Sequence, residues 1–434
     1  MTVVYKLGCV EETPQNLLGG LMDTSTTDVW LTNRRWHHDY PELGTDPIPI
    51  APYTSAEHFE LERDRIFKKV WLFASRIEKI PNPGDFHVVD LPICETSVVL
   101  VHGNDGEVRA FHNVCPHRGN KLAYDQSGNT RRLVCRFHGW AYDLEGTLRL
   151  VPDEDNWFDL DKSCHGLTPV AVGVWEGFVF INLDPEPSQT LQEYLGEAAE
   201  TLDGYPFAET SSQSYCFRTV LNANWKLVKD AFQEVCHTPF QHHRSLPDGF
   251  VSKENPYTHV IDMRLYGPHG RASLFGNHDH VPSPVQALAY AHGSTLVSSV
   301  FSGESEATAP VGVNPTESEH WAFELTVFFP CFFVGVTEGN YFAHQFLPID
   351  IDHTQVEITA YFPKAQNLAQ RFSQEYSRVI FRDIFLEDGR QLEETQSMLS
   401  SGAHSSFPLK DEELLVRQSH HAVQRMVDGH GIMP

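Results

Sequence analysis

Two sets of residues in this 434-residue chain have the types and spacings to hold metal. In the first, Cys115-Pro-His117-Arg-Gly119 is answered, 17 intervening residues after His117, by Cys135-Arg-Phe-His138-Gly-Trp140-Ala-Tyr142. Two thiolates and two imidazoles suit a tetrahedral zinc, or a 2Fe–2S cluster with two Cys on one iron and two His on the other. Zinc sites of this composition usually pair like with like. Here each stretch offers one Cys and one His, so each of two loops can give one ligand to each iron. Arg118, Lys121, Arg131, Arg132 and Arg136 crowd the same loops in a chain of formal charge -26. Such a basic rim suits an acidic electron donor; the plain alternative is a solvated loop surface.

The second set lies in Asn224-Trp225-Lys226-Leu-Val-Lys-Asp230-Ala-Phe232-Gln-Glu234-Val-Cys-His237, followed by Thr-Pro239-Phe-Gln-His242. A helix from Asn224 to His237 puts Asp230, Glu234 and His237 on one face. Pro239 then ends or kinks the helix and brings His242 beside His237. Two imidazoles with one carboxylate leave three cis positions open on an octahedral Fe(II), which admits O2 next to a substrate. The carboxylate has to come from elsewhere in the chain. His243 is read as a bystander, and His278 and His280 as loop histidines.

These residues need elements to carry them. Residues 1 to about 50, rich in Thr, Pro and Asp, read as an irregular arm that could wrap a neighbour. Ser55 to Leu72 reads as a helix capped by Ser55, with Phe59, Ile66, Val70 and Trp71 at roughly helical spacing. From Gly84 to Asp184, short β-branched runs punctuated by Gly, Pro and Asn-Asp predict a small antiparallel β domain, closed by Pro185-Glu186-Pro187. Beyond it, Leu191 to Leu202, Asn224 to His237 and roughly Ala365 to Met398 read as helices. AFELTVFFP, FFVGVTE, YFAHQFLP and VEITAYFP read as strands. The fold class is therefore α+β, a small antiparallel β domain inserted in a larger domain with a central antiparallel sheet and covering helices.

The acidic balance argues against nucleic acid and anionic membranes as partners. No apolar run approaches a bilayer span, and Glu11 and Glu12 interrupt any signal-peptide pattern, which predicts a cytoplasmic protein. The eight cysteines, Cys9, Cys94, Cys115, Cys135, Cys164, Cys216, Cys236 and Cys331, are scattered. In a reducing compartment they read as buried thiols or metal ligands.

CPHRGNKL and CRFHGWAYDLEG closely resemble the Rieske loops of ring-hydroxylating iron oxygenases, and Trp175 to Asp184 resembles the strand that closes that domain. NWK…E-x-x-H-x-x-x-x-H, followed about 150 residues later by ED-x-x-x-x-E-x-x-Q, also matches the catalytic subunit of that family. The resemblance runs from about Phe59 to Leu399. It implies residues 1–68 as an arm and helix on the catalytic domain, 69–187 as the Rieske domain and 188–434 as the catalytic iron domain. It implies that Cys115, His117, Cys135 and His138 hold the cluster, and that His237, His242 and Asp388 hold Fe(II), with Glu387 the near-miss choice for the carboxylate.

In the family, electrons cross from the cluster of one subunit to the iron of its neighbour in a ring-shaped trimer. A bridging carboxylate, here Glu234, would meet His237 of its own chain and His138 of the next. Many members have Asp there; Glu occurs in a subset that includes quaternary-ammonium demethylases. Ala231 stands where many members carry Asn. The resemblance further implies electrons from NAD(P)H through a flavin reductase, with or without a ferredoxin, and O2 as co-substrate. The assembly expected is a homotrimer, or α3β3 if a separate β subunit exists.

For the substrate, Phe328, Phe329, Phe332, Phe333, Tyr341 and Phe342 suggest strands whose alternate residues face a large apolar interior. That favours hydroxylation of an aromatic or bulky apolar compound. The alternative within the family is monooxygenation with O- or N-demethylation, including that of a quaternary ammonium compound. Outside it stands an electron carrier or zinc-stabilised binding protein.

Overall fold

The computed structural model describes residues 34–433 apart from 243, 247 and 294–311. The greater part of the arm, Cys9 and the bystander His243 lie outside the described residues. The described part of the arm docks on its own chain. Trp36 is buried and its N–H donates to Asp411, while Ile48–Pro49 pairs with Ser406–Phe407.

The β-branched runs form strands, because alternation buries one face and continuous Val and Leu runs bury both. Among the described residues one antiparallel sheet has seven strands, in the order Leu72–Arg76, Phe178–Asn182, Pro169–Trp175, Val108–His112, Thr96–His102, Asp85–Leu91 and Ser127–Asn129. Val98 to Val101 at its centre are fully buried. A small sheet of Leu133–Val134, Ala141–Tyr142 and Leu148–Leu150 supports the two Cys/His loops. These loops have their own core, including Val99, Phe111, Leu122, Leu133, Trp140, Tyr142 and Leu148.

The larger domain is built on a second antiparallel sheet. Its order is Gln213–Leu221, His353–Phe362, Tyr341–Asp350, Phe332–Val336, Trp321–Phe328, His269–Phe275 and Asp262–Tyr266. The central strands are buried on both faces. On one face Phe332 stacks on Phe73 of the β domain, ring centroids 4.2 Å apart, and Gln345 donates to the Phe73 carbonyl. On the other face Phe342 and Phe346 meet Phe381 of a covering helix and Phe232 just past the end of another. Most of these rings are therefore core.

Two helices differ from their sequence reading. The helix capped by Ser55 spans Ala56–Glu62, widens into one π-type turn at Arg63–Phe67, and is over before Val70. Val70 and Trp71 instead lead into the edge strand Leu72–Arg76, whose pairing with Phe178–Asn182 requires an extended chain. The second spans Trp225–Ala231, with the Asn224 side chain accepting from the Lys226 N–H, and stops well short of His237. Glu234 turns its carboxylate onto the Cys236 and His237 amides, and Pro239 sits at the start of a new short helix, Thr238–Gln241. The long helix Leu368–Leu399, capped by Asn367, crosses this region. No described helix is long and apolar enough to cross a membrane.

Candidate cluster and iron sites

The two loops of the β domain repeat one geometry. Gly119 N–H donates to the Cys115 carbonyl and Gly139 N–H to that of Cys135, both at 2.9 Å. The N–H groups of Cys115 and Cys135 donate in turn to Asn120 and Trp140 carbonyls at 2.8 Å. Gly119 and Gly139 stand at φ +76° and +73°, where an L side chain is strained, so glycine closes both turns. Both cysteines are buried, and the rings of His117 and His138 face each other with centroids 4.5 Å apart. Trp140 stacks on His117 at 4.9 Å, and the Tyr142 hydroxyl lies 3.2 Å from Cys115 Sγ.

The donor set fits a cluster. His138 Nδ1 is buried without a partner, as expected of a nitrogen kept for a metal. Burial pushes the Cys115 thiol up, whereas the Phe137 and His138 amides hold Cys135 down against its own burial. Of the basic rim, Arg118, Arg131, Arg132 and Arg136 are exposed. Lys121 and Arg136 are partly answered by Asp90 and Asp125, 3.5 and 3.3 Å away.

In the larger domain, His237 Nε2 and His242 Nε2 lie 3.2 Å apart. Asp388 Oδ1 is 3.2 Å from the His242 nitrogen and 3.6 Å from that of His237. Cis ligands about 2.1 Å from one metal lie about 3 Å from each other, so the three atoms converge as ligand atoms would. They form one of two such groups among the described residues; the other, Asp350, Asp352 and His353, is on a largely exposed hairpin. Both imidazoles are held from behind. His237 Nδ1–H donates to Glu234 Oε1 at 2.5 Å and His242 Nδ1–H to Glu387 Oε2 at 2.9 Å, which leaves each Nε2 free. Burial of Glu234 opposes its charge, yet His237 and the Cys236 amide hold its carboxyl below the usual range. Burial lowers His242 but the Asp388 and Glu387 carboxylates raise it further.

Asp230 does not join this group. Its carboxylate accepts from the Tyr53 hydroxyl at 2.6 Å and meets His420 Nε2 at 2.9 Å. The Trp225-Lys226 pair also points away from this group, since both side chains donate to the fully buried Glu62 at 2.7 and 2.5 Å. The Lys226 charge keeps Glu62 ionised against its desolvation. Gln241, which donates to Asp388 Oδ1 at 2.5 Å, Ser245, Tyr53 and His420 are not singled out by sequence reasoning. Their partners lie more than a hundred residues away, and no spacing announces them.

Residues 191–429 match the family model for the ring hydroxylating alpha subunit (catalytic domain), and residues 70–171 match the Rieske [2Fe-2S] domain. The chain belongs to the ring-hydroxylating oxygenase alpha-subunit family. It carries a Rieske-type 2Fe–2S domain and the family's non-haem iron catalytic domain, which sets the zinc reading aside. It is 34% identical over 190 residues to the carnitine monooxygenase oxygenase subunit of Escherichia coli (strain K12), covering 44% of this chain and 50% of that one. It is 35% identical over 201 residues to the large oxygenase component of the naphthalene 1,2-dioxygenase system of Pseudomonas aeruginosa, covering 44% of each. The aligned stretch thus spans about half the length of these relatives. A crystal structure of a quaternary ammonium Rieske monooxygenase shares the fold, with a TM-score of 0.69 over 88% of this chain and 96% of that one at 22% identity.

Proposed function

We propose that this chain is the oxygenase component of a Rieske-type system that draws electrons from NAD(P)H through a reductase and uses O2 to oxidise an organic substrate. The observation that carries the reading is the convergence of His237, His242 and Asp388, with Glu234 bonded to the far side of His237. In this reading Cys115, His117, Cys135 and His138 hold the cluster, whose two His ligands raise its potential above that of all-thiolate clusters. His237, His242 and Asp388 hold Fe(II), which supplies O2 activation when bound. Glu234 fixes the His237 tautomer and is the group through which a neighbouring cluster histidine would be coupled. The assembly proposed is a homotrimer.

For the substrate, the reading supported best is oxidative N-demethylation of a quaternary ammonium compound. Glu rather than Asp stands at the bridging position, and relatives include enzymes named for carnitine and for quaternary ammonium substrates. Hydroxylation of an aromatic ring is the second reading, favoured by the naphthalene dioxygenase relative. Turnover with a reductase, O2 and a panel of quaternary ammonium compounds and naphthalene separates the two. Formaldehyde release from a methylammonium substrate supports the first; a dihydrodiol or phenol with no formaldehyde overturns it for the second.

A further inference from the structure

His242 is gripped through both ring nitrogens by two successive residues of one helix. Asp388 Oδ1 lies 3.2 Å from Nε2, and Glu387 Oε2 accepts from Nδ1–H at 2.9 Å. Neighbouring residues on a helix project about 100° apart, so one carboxylate can reach the metal side of the ring while the other closes around its back. The loop after His242 returns to the same group: Leu246 N–H donates to the His242 carbonyl at 2.8 Å, and the Ser245 hydroxyl donates to Glu387 Oε2 at 2.7 Å. His242 and Ser245 are buried.

We infer that Glu387 is a positioning residue for the mononuclear iron, holding His242 as the Nδ1–H tautomer with Nε2 aimed at the metal position. The inference rests on the reading of His237, His242 and Asp388 as the iron ligands. A carboxylate on Nδ1–H also makes Nε2 a stronger donor, and loss of such a partner weakens metal binding by about 10- to 100-fold. Glu387 differs in its place from Glu234. Glu234 sits on the loop just before His237, within the chain segment that carries both histidines, whereas Glu387 comes from the long helix and ties that segment to it. Ser245 steadies the carboxylate and carries a smaller share of the effect.

The test uses the full chain with its cluster intact, stripped of mononuclear iron by a chelator and titrated with Co(II), whose visible bands report ligand geometry. Glu387→Ala is expected to bind Co(II) about 10- to 100-fold more weakly with altered bands, while the cluster spectrum stays unchanged. Glu387→Gln, whose amide oxygen still accepts the Nδ1 proton, is expected to bind more tightly than Glu387→Ala. Wild-type affinity in Glu387→Ala overturns the inference, and so does equal weakness of the Gln and Ala variants. If wild type and His237→Ala take up Co(II) alike, the iron reading itself fails. Binding lost in His237→Ala but kept in Glu387→Ala sinks this inference alone.

Discussion

The two candidate metal sites of this chain are built by opposite strategies. The cluster loops place two Cys and two His within a short stretch, with the same backbone turn used twice and glycine at the same strained position in each. Their geometry is local. The candidate iron site joins a loop at His237 and His242 to a helix at Asp388 and Glu387, roughly 150 residues later; His242 and Asp388 are steadied by partners distant in the chain, His237 by its near neighbour Glu234. A local site survives loosening of the domain around it, whereas an assembled site is only as well formed as the packing that joins its parts.

Removing one ligand should give the largest separation between the two. His237→Ala is expected to abolish product formation and to lower iron from about three to about two per chain, with sulfide and the visible spectrum unchanged. Iron and acid-labile sulfide analysis checks it, and a parallel loss of the cluster would mean that the sites are not independent. Glu234→Gln is the next step down. It keeps an oxygen on His237 Nδ1–H but removes the charge, and turnover is expected to fall about 10- to 100-fold while the reductase still reduces the cluster at the wild-type rate. Rapid-mixing measurements of cluster reduction and product formation distinguish that outcome from a general loss of folding.

On the cluster side, Tyr142→Phe removes the hydroxyl beside Cys115 Sγ. Hydrogen bonds to the ligand sulfurs favour the reduced cluster, so its potential should fall. A bond of about 1 kcal/mol corresponds to roughly 40 mV for one electron. A redox titration followed by the visible spectrum reads the shift, and an unmoved potential would deny the bond.

The last contrast between the two regions is in acid sensitivity. Burial pushes His344 down to about 3 and His269 down to about 4, both in the larger domain. His269 is fixed as a neutral ring, with Nε2–H donating to the Tyr194 carbonyl and Nδ1 accepting from Phe329 N–H. Below about pH 6.5 the unfolded chain binds protons that these native rings refuse, so stability falls with pH and nothing is lost above that value. The cost is about 2 kcal/mol for each ring by pH 5. Thermal melts at pH 7 and pH 5 should therefore show the larger domain weakening first, with His344→Phe less acid-sensitive than wild type. Equal pH slopes for that variant and wild type would count against it.

How much could be read in advance follows the same divide. The Rieske domain was legible because the spacing of its two loops is itself the structure: a Cys-x-His loop answering a Cys-x-x-His loop. His237 and His242 were legible as a pair, and Asp388 only through the family pattern. The helical spacing of Asp230, Glu234 and His237 misleads for Asp230: the helix stops at Ala231, and Glu234 and His237 meet through a loop in which Glu234 also accepts from the Cys236 and His237 amides. Val70 and Trp71 continue an apolar periodicity that belongs to the approach to a strand. Glu387 looked like an alternative ligand since nothing in its neighbours tells which ring nitrogen it will meet. Glu62 and Tyr53 were silent because their partners, Lys226 and His420, are brought to them only by the finished fold.

The buried contact between Glu62 and Lys226 has a consequence for how the protein is made. A chain leaving the ribosome presents the helix of Glu62 first, then the whole β sheet from Leu72 to Asn182, and Lys226 only afterwards. The β sheet finds all its strands within that one stretch, so it can close while its leading helix still has its acid in water. The segment that supplies Asp388 emerges late. The receptacle for the cluster can therefore be complete while the candidate mononuclear site still lacks its carboxylate.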